Sequence, residues 1–327
     1  MGQRSKAGDA ADPDADFDVV HADILRCFPD LVADMGGDPQ ALAKLAGITP
    51  ALLTRGRSSV GYRLIAALLE RAATELSCPD FGMRLARLQG GRVFGPVSAV
   101  MKNSNTLGEA LAYVNKHAYA HSLAAQIRLE PDRASRSLFV AHDILLERLS
   151  NKSQSVEHIL LLGQLNAMEI TGGRARVRRV HFRHQPMSPL SVYRRYFGCE
   201  VRFDQREDGV MFSERDLLCP IAAPDAHVFE AATLHIDTQF PHVSPPMQAQ
   251  VRGVILQFIG TERCTNDGVA AELHMHPRTL HRRLRAEGKS FLEIKDEVRR
   301  DLAHLIDRCK ASDEKALAYL QALAKTL

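Results

Sequence analysis

A chain of 327 residues is long enough for two ordinary domains, and 45% apolar residues supply their cores. The formal net charge is only +3, so affinity for nucleic acid has to come from local clustering rather than from a polycationic chain. Six cysteines without C-x-x-C spacing argue against a zinc ribbon and a disulfide framework; with no apolar N-terminal run and no stretch of membrane-spanning length, the expected setting is a reducing cytoplasm.

Residues 1–16, rich in Asp, Ala and Gly, read as a disordered tail. Helical periodicity begins at Phe17, and one helix is expected to carry Val20, Ile24, Leu25 and Phe28. GGDPQALAKLAGITPALL then has the outline of a small helix-turn-helix. Its second element, Ile48–Leu53, lacks a basic face, so packing is the expected role. Val60–Leu76 predicts a helix with Leu64, Ala67, Leu68 and Leu76 inward, followed by short helices over Phe81–Leu88 and Pro96–Lys102. Thr106 and Glu109 stand in capping-box spacing at the head of a helix ending at His117.

Ser122–Leu129 and Ala134–Ala141 have strand patterns, with Pro131-Asp132 as the turn between them. A helix over Val156–Met168 ends at Gly172-Gly173, and Arg176–Phe182 reads as another strand. Tyr193-Arg194-Arg195-Tyr196-Phe197 mixes aromatic and basic residues. A nucleic-acid stacking role is less favoured there than a helix with Tyr196 and Phe197 buried. Helices, strands, a helix and a further strand make an α+β domain over 17–236. Asp237–Pro246 has linker composition, and 247–327 forms a second, all-α domain.

In that second part, Val251, Val254, Ile255, Phe258 and Ile259 form one helix face. Thr265–Phe291 then reads as two short helices joined by a turn. Val269, Ala270 and Leu273 line the first, and Leu280 and Leu284 line the second. Pro277 suits a first helical position, and Gly288 a left-handed stop. With the leucines inward at about 100° per residue, Arg278, Arg282 and Arg285 face outward and Thr279 and His281 flank them. No acidic residue occurs from Pro277 to Ala286. Such a one-sign stripe suits the major groove of duplex DNA.

These residues resemble the first helix-turn-helix of the AraC/XylS family of transcriptional regulators. The resemblance implies base contacts from Arg278, His281 and Arg282, and phosphate contacts from Arg285 and Lys289. Three positions depart from the family pattern: His276 replaces a capping Ser, His274 a turn Gly, and Gly268 a capping-box Glu. Each is expected to cost about 0.5–1 kcal/mol. The two imidazoles also suggest DNA affinity that changes between about pH 6 and 8. The first half (GPVSAVMKNSNTLGEALAYVNKHAYAHS, RVRRVHFRH and SVYRRYFGCEVRFDQREDGVMFS) is similar to an AraC-type effector and dimerisation domain. That implies an unidentified small-molecule effector and a homodimer.

After Gly288, Phe291, Ile294, Val298, Leu302 and Leu305 line a long helix. In the family a second reading unit follows such a helix. Here the sequence continues with CKASDEKALAYLQALAKTL, which offers one amphipathic helix and no second reader. The expected protein is a cytoplasmic, nucleoid-associated regulator, an α+β effector domain followed by an all-α helix-turn-helix domain, acting on double-stranded DNA. The alternative is a small-molecule-binding dimerisation module without DNA affinity of its own. No cofactor or metal site is expected, because the histidines lack the thiol or carboxylate companions a divalent site recruits. An enzyme is not expected, because no phosphate loop or nucleophile motif appears.

Overall fold

The computed structural model describes residues 17–53, 59–146, 149, 151–240, 245–258 and 261–309, with backbone alone at 92 and 301–309. The expected tail over 1–16, Ile259, the side chains of Leu302 and Leu305, and the stretch after Cys309 therefore lie outside the described residues.

The helix expected across Val20–Phe28 is broken. Val20–His21 form a strand, β1, then Ala22–Leu25 a 3-10 turn. Cys27 is left-handed (φ +61°) and α1 runs over Phe28–Asp34. Pro29 accounts for the break: it is tolerated in a first turn, but inside a longer helix it would remove a hydrogen bond and clash with the preceding turn. The four expected apolar residues are nonetheless buried. Asp38 caps α2 (Pro39–Leu45) by accepting from the amides of Gln40 and Ala41. Ile48 is buried and Leu52 and Leu53 pack beside it, so this segment has the packing role expected of it.

Strand β2 (Ser59–Val60) pairs antiparallel with β1, and α3 (Tyr62–Glu75) follows. Its inward residues are Tyr62, Ile65, Ala66, Leu68, Leu69 and Ala72, whereas Ala67 is exposed. The buried sector is therefore turned from the one expected, because Ile65, Leu69 and Ala72 continue a longer stripe at three- and four-residue spacing. Next come α4 (Phe81–Gln89), α5 (Val97–Asn103) and α6 (Leu107–His117). Thr106 caps α6 through the Glu109 amide, while the Glu109 carboxylate reaches back to Asn105 rather than Thr106.

Both hairpin strands lie three residues later than expected: β3 spans Ala125–Asp132 and β4 Ser137–Ile144, in register from Ala125↔Ile144 to Asp132↔Ser137. Pro131 thus sits within β3. It is accommodated because β3 is the sheet's edge, where a missing N–H need cost no ladder bond. The central helix α7 (Ser153–Ile170) is buried on most sides. Of the strand expected over Arg176–Phe182, only Arg179–His181 pairs, as β5. Helix α8 (Leu190–Phe197) buries Tyr193 and Phe197 and exposes Arg194 and Arg195; Tyr196 is half-buried, with its hydroxyl on Asp80. Strands β6 (Glu200–Arg202) and β7 (Gly209–Ser213) complete a five-stranded sheet of order β3-β4-β7-β5-β6, antiparallel except for β5 with β6.

After α9 (Glu214–Leu217), α10 occupies Ala226–Gln239. It takes in Asp237–Gln239, which composition assigned to the linker. Pro241 explains the stop at this point, since a residue before proline is pushed out of helical conformation. Residues 241–244 are outside the described set. Helices α11 (Met247–Phe258), α12 (Asn266–Glu272), α13 (Pro277–Ala286) and α14 (Phe291–Cys309) follow. They share a core of their own, centred on Val251, Ile255, Val269, Leu280, Leu284 and Ile294.

Candidate nucleic-acid interface

The α12–turn–α13 unit is held by local bonds at every corner. Thr265 caps α12, its hydroxyl accepting from the Gly268 amide at 3.1 Å. A Cβ at Gly268 would stand 2.2 Å from the Arg263 carbonyl oxygen, so the Glu of the family pattern does not fit here. At the other end His274 takes the left-handed position (φ +52°). Its amide donates to Ala271 and that of Met275 to Ala270, the bond pair of a Schellman stop. Glycine is the usual occupant; histidine is among the residues that enter this region most readily after it.

His276 is the cap of α13. Its Nδ1 accepts from the Arg278 amide at 3.2 Å, and Pro277 takes the first helical position. The imidazole thus does the work of the serine it replaces. Gly288 (φ +71°) ends α13, with the amide of Lys289 bonded to Leu284 and that of Gly288 to Arg285.

Leu280 and Leu284 are fully buried, which fixes the rotation of α13. Arg278, His281, Arg282 and Arg285 are exposed on the opposite side, and Thr279 is half-buried on the flank. Arg283, not assigned to the face from sequence, is also exposed, about 100° round the helix from Arg282. Among the described residues, none of these four arginine side chains has a carboxylate or other hydrogen-bond partner. Four guanidinium groups on ten residues therefore point to solvent. Lys289 differs, since its ammonium lies 2.5 Å from Glu297, away from a free position on the face.

The nearest acid in sequence, Glu287, is turned from the arginines. Its carboxylate accepts from the Met247 and Gln248 amides at 2.7 and 2.8 Å and so caps α11. Sequence reading assigned it no role; its signal was its place as the first acid after an acid-free decade. Arg263 braces the other side, stacking 4.1 Å over Phe258 and pairing with Glu272 at 2.7 Å.

Two of the recesses among the described residues lie in the N-terminal half. An apolar groove of about 490 Å³ runs between α5 and α10, past Pro96, Ala99, Val228 and His235. A more polar recess of about 420 Å³ is lined by His181 and 204–207. Among the described residues no group of three or more His, Cys, Asp or Glu is placed to hold a metal, and no helix is long and apolar enough to cross a membrane.

Residues 36–221, more than half of the chain, match the family model described as the arabinose-binding domain of AraC transcription regulator, N-terminal. The chain is 29% identical over 283 residues to the HTH-type transcriptional regulator VirS of Mycobacterium tuberculosis, covering 86% of this chain and 83% of that one. It is 23% identical over 287 residues to the ornithine utilization regulator of Pseudomonas aeruginosa, covering 87% and 83%. Among solved structures, the transcriptional regulator CdpR of P. aeruginosa aligns over 86% of this chain and 88% of its own, at 19% identity and a TM-score of 0.44.

Proposed function

The chain belongs to the AraC family of transcription regulators, and from that premise we propose that it controls transcription by binding specific duplex DNA through α13. The observation that carries this reading is the outward row Arg278, Arg282 and Arg285, exposed and without acidic partners among the described residues, on a helix whose rotation two buried leucines fix. In a surface helix kept only for packing, partners of opposite sign would be expected among these arginines. In the proposed complex α13 lies in the major groove. Arg278, Arg282 and His281 reach base edges, Thr279 and Arg285 meet the backbone, and Lys289 joins them only by leaving Glu297.

The α+β half binds a small organic effector and pairs with a second copy, placing two readers on one duplex about 34 Å apart, one helical turn. Effector control then acts by population shift, limited by the effector's differential affinity for the two arrangements. Such a protein works in the cytoplasm, on the nucleoid. The relatives named above are regulators rather than enzymes, in keeping with a reading that involves no turnover.

The test is selection of duplexes from a random pool by the full chain, followed by titration at several salt concentrations. The reading expects a selective complex whose log affinity falls with log salt by about 0.9 per phosphate neutralised. Dimerisation without any selective complex would overturn it in favour of a binding module that acts by pairing with an intact relative.

A further inference from the structure

Helix α11 is buried on two sides, and only one of them belongs to the reader. Met247, Val251, Val254, Ile255 and Phe258 enter the C-terminal core. Ala249, on another face, belongs to the core of the N-terminal half. Beside it Gly253 meets the sheet. A Cβ there would stand 2.7 Å from Gln126 Nε2 on β3 and 3.1 Å from Leu145 Cδ2, just past β4. Arg252, 4% exposed, enters next to them. It lies within electrostatic reach of Lys152, whose ammonium is pushed below its usual range by burial first, then by the Arg183 and Arg252 guanidinium groups. At its N-terminus α11 is bonded to the end of the reader, through the Glu287 carboxylate on the Met247 and Gln248 amides.

A glycine inside a helix costs about 1 kcal/mol against alanine. Here it lets the ends of the Gln126 and Leu145 side chains lie against the helix backbone, and a larger residue at this position would have to displace both. Shear between packed elements is one of the ways domain halves move against each other, and packed contacts tend to have discrete rather than continuous arrangements. Like charges gathered at this contact, with Asp143 and Asp208 opposite, make it a place where a small change on the sheet side alters the docking free energy.

We propose that this face of α11 (Ala249, Arg252 and Gly253) is an intramolecular docking surface through which the sheet of the N-terminal half sets the orientation of the reader, with Glu287 as the positioning residue that ties α13 to α11. The inference deepens the DNA-reading function and rests on it. The coupling path is short: sheet edge, α11, Glu287, α13.

Two measurements on the full chain test it, hydrogen exchange and DNA affinity on a duplex selected by the wild type. Gly253→Leu is expected to speed exchange in Ala125–Arg128 and in α11 by about tenfold while α3 is unchanged. It is also expected to change the dissociation constant by about two- to thirtyfold, although the site lies outside the DNA face. Adding Gln126→Ala makes room and is expected to restore both readouts toward wild type. Glu287→Gln, which weakens the cap without changing the arginines, is expected to shift affinity in the same direction as Gly253→Leu. Unchanged exchange in Gly253→Leu overturns the docking surface. Altered exchange with unchanged affinity overturns its control of the reader. If the double variant stays unfolded or unrestored, the close approach at Gly253 is not what sets the contact. If the wild type binds no duplex, the DNA reading fails, and the proposed control of the reader fails with it; the exchange experiment then decides the docking contact separately.

Discussion

Two departures from the family pattern sit in the same small unit and should respond to reversion with opposite signs. At position 274 the backbone is left-handed, at φ +52°, and both Schellman bonds are made. His274→Gly removes the Cβ penalty of that region and leaves both bonds in place. A stabilisation of about 0.5–1 kcal/mol follows, reduced by the extra entropy glycine brings to the unfolded chain. At position 268 the family's Glu cannot enter, because a Cβ would lie 2.2 Å from the Arg263 carbonyl oxygen. Gly268→Ala has to push the backbone before Thr265 aside and should destabilise by about 1–3 kcal/mol, the range of an overpacked site. Urea denaturation of the full chain, followed by hydrogen exchange in α12 and α13, reads both. Exchange there reports the C-terminal unit even where the two halves do not unfold together. If His274→Gly is neutral or destabilising, the left-handed histidine carries no strain. If Gly268→Ala is harmless, the glycine is not required by packing. Either result would refute the reasoning about this corner.

Other outcomes follow from buried polar groups and from the cap of α13. His158, 1% exposed, has its pKa pushed down to about 3 by burial first and by His121 after it. Gln89 spends its amide N–H groups on the carbonyls of Ile24 and Arg26, so its oxygen accepts from His158 Nε2–H. Between about pH 6.5 and 3 the unfolded chain binds a proton there that the folded one does not. Stability is therefore full above that window and falls on acidification by up to about 1.4 kcal/mol per pH unit; a denaturation series from pH 7.5 to 5 should be flatter in His158→Gln. Asp143 works at lower pH: burial opposes its charge, but Arg183 and Arg128 hold its carboxyl below the usual range. Its contribution is present above the ordinary Asp value and is lost as pH falls through the folded one, and Asp143→Asn should remove that acid-side loss. Tyr193→Phe should cost about 1–3 kcal/mol, since Glu157, fully buried, would lose the phenol donor and keep, among the described residues, His184 alone. The α13 cap needs an acceptor at position 276, where Nδ1 takes the Arg278 amide; His276→Ala should cost about 0.5–2 kcal/mol, read by faster exchange at the start of α13 at fixed pH, and His276→Ser should not.

The α+β class, the helices α4 to α7 and the buried faces of α13 and α14 were legible because their apolar spacing runs long enough to average out local exceptions. The rest was decided by contacts that period does not encode. One proline in a first turn broke the expected helix at Phe28. Pro131 looked like a turn residue yet lies within β3, since an edge strand tolerates it. Strands β6 and β7 are three and five residues long, too short to show alternation, and exist because β4 and β5 supply their partners. At the candidate interface the outward set was readable from the two leucines alone. The pairing of Lys289 with Glu297 across the turn into α14, and the turn of Glu287 toward α11, forty residues back, were not, because neither follows from the period of α13.

The claim that α13 reads base edges meets its most direct test in a double cycle between Arg282→Ala and a guanine lacking N7. Anisotropy titration uses a selected duplex and its 7-deazaguanine counterpart at each guanine of the half-site. Arg282 is exposed and has no partner among the described residues, so its loss should leave folding within about 0.5 kcal/mol of wild type. Affinity for the selected duplex should fall by about 5- to 150-fold, the worth of a bidentate arginine–guanine pair. At one guanine the base change and the side-chain change should be non-additive, each costing little once the other is made. Full additivity at every guanine, or equal loss on scrambled duplex, would contradict base reading by this helix.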